Sequence, residues 1–230
     1  MRILLTGAAG FIGSTLVEGM REQHQIRGFD RVPMPELDDA IVGDLADFEI
    51  LLEAAKGVDA VIHLAAAARS KSPWTDVLSD NIIGTRNVLE AARAQSVKRV
   101  AFASSSQVIN GYPPEQAITW DMRPRPVNHY AVSKVFGEML GHMYATVYGL
   151  EVVCVRIGSF PRSDTAPAAW FERYLSPRDA VHLFEQAVTQ PGVGFEIVFG
   201  TSHNQNCRFD LDHTREVLNY EPIDSADDLR

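Results

Sequence analysis

The stretch Thr6-Gly7-Ala8-Ala9-Gly10-Phe11-Ile12-Gly13 limits the fold of this chain more than any other. Before it, Arg2–Thr6 reads as a short buried strand, and after it the pattern predicts a helix through about Arg21. Glycines at such a junction permit a tight turn, close approach of the backbone to a pyrophosphate, and close packing of helix on strand. The start of the helix adds N–H groups and positive partial charge, which suit phosphates. The spacing is G-x-x-G-x-x-G rather than G-x-G-x-x-G, so the motif is weak by itself. Its surroundings strengthen it. A second strand, about Gln25–Phe29, ends in Asp30, 17 residues after Gly13. A carboxylate there can bind both hydroxyls of an adenosine ribose and repels a 2′-phosphate, which predicts NAD over NADP. Arg31, directly after it, stands against that preference. A glycine turn in an unrelated α/β protein is the competing explanation.

Strands and helices then alternate. Ala40–Leu45 reads as a third strand, with Asp44 placed either to meet an adenine edge or to cap a helix over about Asp47–Ala55. Ala60–Ala65 is a continuous apolar run of the kind a parallel sheet requires, and small residues through Ala68 leave room against the backbone. His63 within it is expected to be a packed histidine. Arg69-Ser70-Lys71-Ser72-Pro73-Trp74 forms a polar loop at that strand's carboxyl end, a position that binds ligands in open sheets or is simply solvated. A helix over Asn81–Ala94 precedes a strand at Arg99–Ala103, which ends in Ser104-Ser105-Ser106. A proline-rich crossover leads to a helix starting near Tyr130, then a sixth strand at Glu151–Ile157. A helix at Arg178–Thr189, an apolar strand at Phe195–Phe199 and a short helix near Asp212–Leu218 complete the chain. This order predicts one domain over residues 1–230: a Rossmann-type doubly wound parallel sheet, α/β, with helices on both faces. Residues from about 160 to 230 would contribute a small substrate lobe.

Composition narrows the partners. A net charge of −9 and a pI near 5.2 argue against nucleic acid and anionic membrane. No apolar run approaches membrane-spanning length, and the apolar residues after Arg2 are too few for a signal peptide. Two cysteines, Cys154 and Cys207, and seven histidines without ligand spacing predict neither a disulfide framework nor a metal site. A cytoplasmic protein is the expectation.

Chemistry points to Asn128-His129-Tyr130-Ala131-Val132-Ser133-Lys134. Four residues apart in a first helical turn, Tyr130 and Lys134 share one face. A free phenol, with a pKa of about 10, is a poor base at neutral pH. A neighbouring ammonium should lower that value, giving a proton acceptor for an alcohol or a donor to a carbonyl. Tyr-x-x-x-Lys also occurs by chance. Ser104, Ser105 and Ser106, on the sheet edge that carries the glycine loop, could bind a substrate oxygen, although serines also simply terminate strands.

With these motifs in hand, the chain resembles an extended short-chain dehydrogenase/reductase of the NAD-dependent epimerase/dehydratase kind over roughly residues 1–200. The likeness rests on the glycine stretch, Asp30, Gly43-Asp44-Leu45, His63-Leu64-Ala65-Ala66, Asn81, Ser104-Ser105, Tyr130 to Lys134 and Arg156-Ile157-Gly158-Ser159. Ser105 lies 25 residues before Tyr130, the interval expected of that family's serine and tyrosine. The resemblance implies Ser105, Tyr130 and Lys134 as catalytic residues. Tyr130 would be the acid/base at a sugar carbon. Lys134 would tune it and bond the nicotinamide ribose, and Ser105 would orient the reacting oxygen. It implies NAD held by Gly7, Ala9, Gly10, Phe11, Ile12, Asp30, Arg31, Asp44, Leu45, Leu64, Ala65, Ala66, Asn81, Tyr130, Lys134 and Ile157. The substrate would meet Arg69, Ser70, Ser105, Ser106, Gln107, Tyr130, Ser159 and Phe160.

Asn81-Ile82-Ile83-Gly84, Phe102-Ala103-Ser104-Ser105, Val135-Phe136-Gly137-Glu138 and Arg156-Ile157-Gly158-Ser159 make the chain resemble, within that family, the uronate dehydrogenases, which oxidise hexuronic acids at the anomeric carbon. About 70 residues follow Ser159, fewer than nucleotide-sugar epimerases use, which favours a small free sugar. Departures fall in the pocket: Ser106 replaces an Asn, Arg69 replaces a Ser, and the carboxylate-gripping Arg falls near Ala168 or Ala169. Either Arg69, Arg162 or Arg173 takes over that role, or the substrate is not a uronate. Three readings follow: a sugar dehydrogenase with dissociable NAD, a nucleotide-sugar epimerase or dehydratase that retains its NAD, and a non-catalytic dinucleotide-binding relative. The resemblance also implies a homodimer, or a larger assembly containing it. Its interface would use the helices at Asn81–Ala94 and Tyr130–Tyr148, the second with an apolar stripe of Val132, Phe136, Met139, Leu140, Met143 and Val147.

Overall fold

The computed structural model describes residues 1–161 and 168–229. Seven strands form one sheet: β1 (Arg2–Thr6), β2 (Gln25–Asp30), β3 (Ala40–Val42), β4 (Ala60–His63), β5 (Arg99–Ser105), β6 (Glu151–Ile157) and β7 (Phe195–Gly200). All pairings are parallel, in the order β3-β2-β1-β4-β5-β6-β7. The chain reverses its direction of travel across the sheet between β1 and β4, so a crevice opens beyond their carboxyl ends. The sheet is the doubly wound parallel sheet expected.

Period-two alternation divides β1 between two cores. Ile3 and Leu5 face helices α1 (Phe11–Met20) and α6 (Pro177–Thr189), where Leu16, Met20, Leu183 and Phe184 are fully buried. Leu4 faces the opposite side, toward α2 (Phe48–Ala54), α4 (Thr85–Ala94) and α5 (His129–Tyr148), with Leu51, Val88, Leu89 and Tyr144. A third, smaller cluster joins Val108, Ile109 and Ile118 of the crossover to Phe199, Phe209 and Leu211, and a bridge pairs Ile118 with Phe209. It fastens the crossover over the edge of the sheet beyond β5. Helix α7 spans Asp212–Leu218, and a 3₁₀ turn at Ala226–Leu229 follows it.

Some boundaries differ from the sequence reading. The third and fourth strands stop at Val42 and His63, short of Leu45 and Ala65, because the residues after them turn toward the crevice. β5 runs on through Ser104 and Ser105, which pair with Arg156 and Ile157. The helix expected from Asn81 begins earlier, with α3 (Trp74–Asp76) and a π-helical stretch at Val77–Gly84 leading into α4. Asp80 and Asn81 both lie buried in that stretch, tied to tertiary polar partners rather than to an apolar stripe. Their polarity hid the helix from a periodicity reading. Wide π turns of this kind recur at functional sites.

Candidate active site

The glycine loop is held by its neighbours. Gly7 sits at φ +76°, and a Cβ there would fall 2.7 Å from the backbone nitrogen of Ala65. At Gly13 a Cβ would fall 2.1 Å from the carbonyl oxygen of Gly7. Neither position tolerates a side chain. The Gly7 N–H donates to the Phe29 carbonyl at 2.8 Å, which seats the loop across the end of β2. No side chain caps α1, and its first turn carries no acid. Asp30 accepts from the Ala9 N–H at 3.1 Å and from the Val32 N–H at 3.3 Å. Beside β4, Leu64 donates to the Thr6 carbonyl and Ala67 to the Asn81 side chain, so the small residues Ala65–Ala68 lie flat along the crevice. His63 bridges Thr6 and Thr85 beneath them, and burial drives its pKa down to about 3. It is a neutral, packed histidine.

One cavity of about 640 Å³ runs from this loop to the end of β5. Gly7, Gly10, Phe11, Ile12, Asp30, Arg31, Leu45, Leu64, Ala65 and Ala66 line its long arm, and Ile157 lies beside Ser105, its strand partner. Arg69, Ser105, Gln107, Tyr130, Lys134 and Phe160 gather at the other end. Six expected residues stand outside the lining. Ala9 is occupied with Asp30. Asp44 accepts from the Ala46 N–H at 2.8 Å in a local turn, while Asp47 caps α2, so the capping alternative for Asp44 does not hold. Asn81 fixes the Ala67 loop and donates to the Ser133 hydroxyl at 2.8 Å. Ser70 is exposed. Ser106 is buried and opens a short 3₁₀ turn. Ser159 bonds through its backbone to Arg173 and Leu175. Of the alternative arginines, Arg162 lies outside the described residues. Arg173 is half-buried and outside the lining. Ala168 and Ala169 open the 3₁₀ turn Ala168–Arg173.

Sequence reasoning missed Asp80, Phe29, Ala103 and Gly158 in the lining, whereas Gly13, Gly43, Ala68 and Ser104, which the motifs around the site already contain, join the lining as well. The only signal for Asp80 was an acid directly before Asn81. Ser104 donates to Glu138 at 2.6 Å, and Glu138 pairs with Arg156 at 2.9 Å, all three buried. That network holds the end of β5 against α5 and leaves Ser105 to face the cavity. Asn128 caps α5 through the Ala131 N–H at 2.8 Å and donates to the Gln107 side chain at 3.0 Å. The first turn of α5 is thereby locked.

Ser105 hydrogen-bonds the Tyr130 phenol, and both residues are buried. The Lys134 nitrogen lies 5.6 Å from the centroid of the Tyr130 ring and 4.9 Å from that of Phe102. The expected fall in the phenol's pKa is overridden. Burial raises Tyr130, opposed by the Ser105 hydrogen bond, and pushes the Lys134 ammonium down to about 7. Both charged forms are penalised by the same apolar surroundings. The cradle nonetheless fits a dinucleotide: an uncapped helix start over a glycine turn, small residues along the crevice, and a carboxylate at its far end.

Comparisons with known proteins agree. The family model described as NAD dependent epimerase/dehydratase matches residues 3–160. The chain is 37% identical to the uronate dehydrogenase of Pseudomonas putida, over all of this chain and 86% of that protein. It is 35% identical to the NAD-dependent glucose-6-phosphate dehydrogenase of Haloferax volcanii, over 97% of this chain and 94% of the relative. The crystal structure of uronate dehydrogenase from Agrobacterium tumefaciens superposes with a TM-score of 0.93 at 34% identity, covering all of this chain and 86% of the other. This chain belongs to the NAD-dependent epimerase/dehydratase family.

Proposed function

We propose that the protein is an NAD-dependent dehydrogenase that oxidises a small sugar or sugar acid at its anomeric carbon. The observation that carries this reading is the burial of Ser105, Tyr130 and Lys134 together, at one end of a cavity whose other end is the glycine cradle. Relatives named for the oxidation of a uronate and of a glucose phosphate, matched over nearly their whole length, support the same class of reaction.

NAD, when bound, supplies the hydride acceptor. Tyr130 takes the proton of the anomeric hydroxyl, leaving a lactone. Ser105 donates to the same oxygen and fixes its position, and Lys134 in its protonated form stabilises the phenolate through the space between them. The half-neutral Lys134 that burial produces near pH 7 becomes a cation more readily once a phenolate faces it. Gln107 and Phe160 shape the sugar end. Arg69 lines that end and has no ion-pair partner among the described residues, so it serves a carboxylate or phosphate on the substrate.

The protein acts as a homodimer. The sheet-facing side of α5 carries Lys134, Gly137, Glu138 and Gly141, and Leu140 and Met143 of its apolar stripe pack partly against the core, which leaves Val132, Met139 and Val147 facing outward. Val132 is 48% and Met139 51% exposed, beside exposed Leu78 and Ile83 of the π stretch. A cytoplasmic site of action fits the free cysteines, and among the described residues no helix is long and apolar enough to cross a membrane. The test is a panel of free uronic acids, neutral aldoses, aldose phosphates and UDP-sugars with added NAD. Stoichiometric NADH from a free sugar supports the dehydrogenase. Tightly retained nucleotide with turnover but no net NADH identifies an epimerase instead.

A further inference from the structure

We propose that Asp80 sets the cofactor preference, by holding Arg31 away from the place where a 2′-phosphate would bind. An arginine next to the acid that ends β2 is the residue type that accommodates that phosphate, and Arg31 stands there with its side chain lining the cavity. Its guanidinium is already engaged. Nη2 donates to Asp80 Oδ1 at 2.9 Å and lies 3.6 Å from Asp44 Oδ2. The Asp80 side chain is only 12% exposed, whereas that of Arg31 is 54% exposed. The carboxylate is therefore the fixed partner and the guanidinium the movable one.

Asp30 is anchored separately by the Ala9 and Val32 N–H groups, which keeps it facing the ribose position. Three carboxylates thus surround one guanidinium at this end of the cavity. A 2′-phosphate would meet the repulsion of Asp30 and would also have to draw Arg31 away from Asp80. The Asp80 carboxylate would then be left unpaired where water reaches it poorly, which is unfavourable. Asp30 repels the phosphate, and Asp80 withholds the cation that would welcome it. Asp80 lies fifty residues from Asp30 in sequence and reaches the site only because the π stretch turns it inward.

This inference rests on the reading of the cavity as an NAD site, and the experiment separates the two. Dissociation constants for NAD and NADP are measured by titration calorimetry, at one fixed low salt concentration, for wild type, Asp80→Ala, Asp80→Asn and the double variant Arg31→Ala/Asp80→Ala. Wild type should bind NAD well and NADP poorly. Releasing one charge-assisted contact should raise NADP affinity relative to NAD by about tenfold or more in Asp80→Ala. The isosteric Asp80→Asn should show a smaller gain in the same direction, and it serves if the alanine variant folds poorly. The double variant should lose the gain. An unchanged NADP-to-NAD ratio in the single variants overturns the proposal. So does a gain that survives in the double variant, because charge removal alone then explains it. Wild type that binds neither nucleotide overturns the cofactor reading, and this inference with it.

Discussion

Replacing Lys134 with methionine should stabilise the folded protein while removing its activity. The side chain is almost fully buried, and burial pushes its ammonium from the ordinary value of 10.5 down to about 7. Between those values the unfolded chain holds a proton at this position that the folded chain does not. Stability therefore rises with pH across that window. Below it the whole penalty applies. At about 1.4 kcal/mol per tenfold change in proton affinity, the ceiling is about 5 kcal/mol. Methionine has a similar length and no charge to desolvate, so Lys134→Met should gain on the order of 2–5 kcal/mol at about pH 6. At about pH 9 most folded wild-type molecules already hold a neutral lysine, and the advantage should shrink by about 3 kcal/mol. Urea melts of both proteins at the two pH values measure the difference. A variant no more stable than wild type at the lower pH, or one whose advantage is undiminished at the higher, would refute the argument. The expected pattern is that of a group kept for chemistry at the expense of stability.

Tyr130→Phe should lower turnover by about 10²-fold or more while leaving NAD affinity within a few-fold, because the phenol acts on the reacting oxygen; steady-state kinetics and nucleotide titration separate the two effects. Asp30→Ala should narrow the NAD preference without reversing it, since Arg31 remains paired with Asp80; the ratio of kcat/KM for the two nucleotides reports this. Met139→Glu should convert a dimer to monomer with unchanged circular dichroism, read by light scattering. A wild-type monomer at micromolar concentration would remove the α5 face from consideration.

Much of the fold is written in local patterns. β1 and β6 have the bounds that apolar runs predict, because continuous burial in a parallel sheet leaves a plain signal. The glycine turn was legible for the same kind of reason: the space beside Gly7 and Gly13 is filled by backbone. Asp80 was not legible. Its role depends on a guanidinium 49 residues earlier and on a π stretch that no apolar period announces. The electrostatics of Tyr130 and Lys134 were legible only in part. Spacing along a helix places the two groups together, but the burial that sets their proton affinities comes from Phe102 and the sheet beneath. Likewise, Ser104 and Ser105 look alike in sequence. Both border the cavity, but strand alternation turns the Ser104 hydroxyl to Glu138 and leaves the Ser105 hydroxyl beside Tyr130.

The most direct test of the central claim follows the hydrogen. Free hexuronic acids, aldoses, aldose phosphates and UDP-sugars, each carrying deuterium at C1, are incubated with the protein and NAD, and the NADH formed is weighed by mass spectrometry. The account predicts that a free sugar or sugar acid yields NADH equal in amount to the sugar consumed, with the deuterium on the nicotinamide, and that Tyr130→Phe abolishes the transfer. Unlabelled NADH, or conversion of a UDP-sugar with no net NADH, would contradict it.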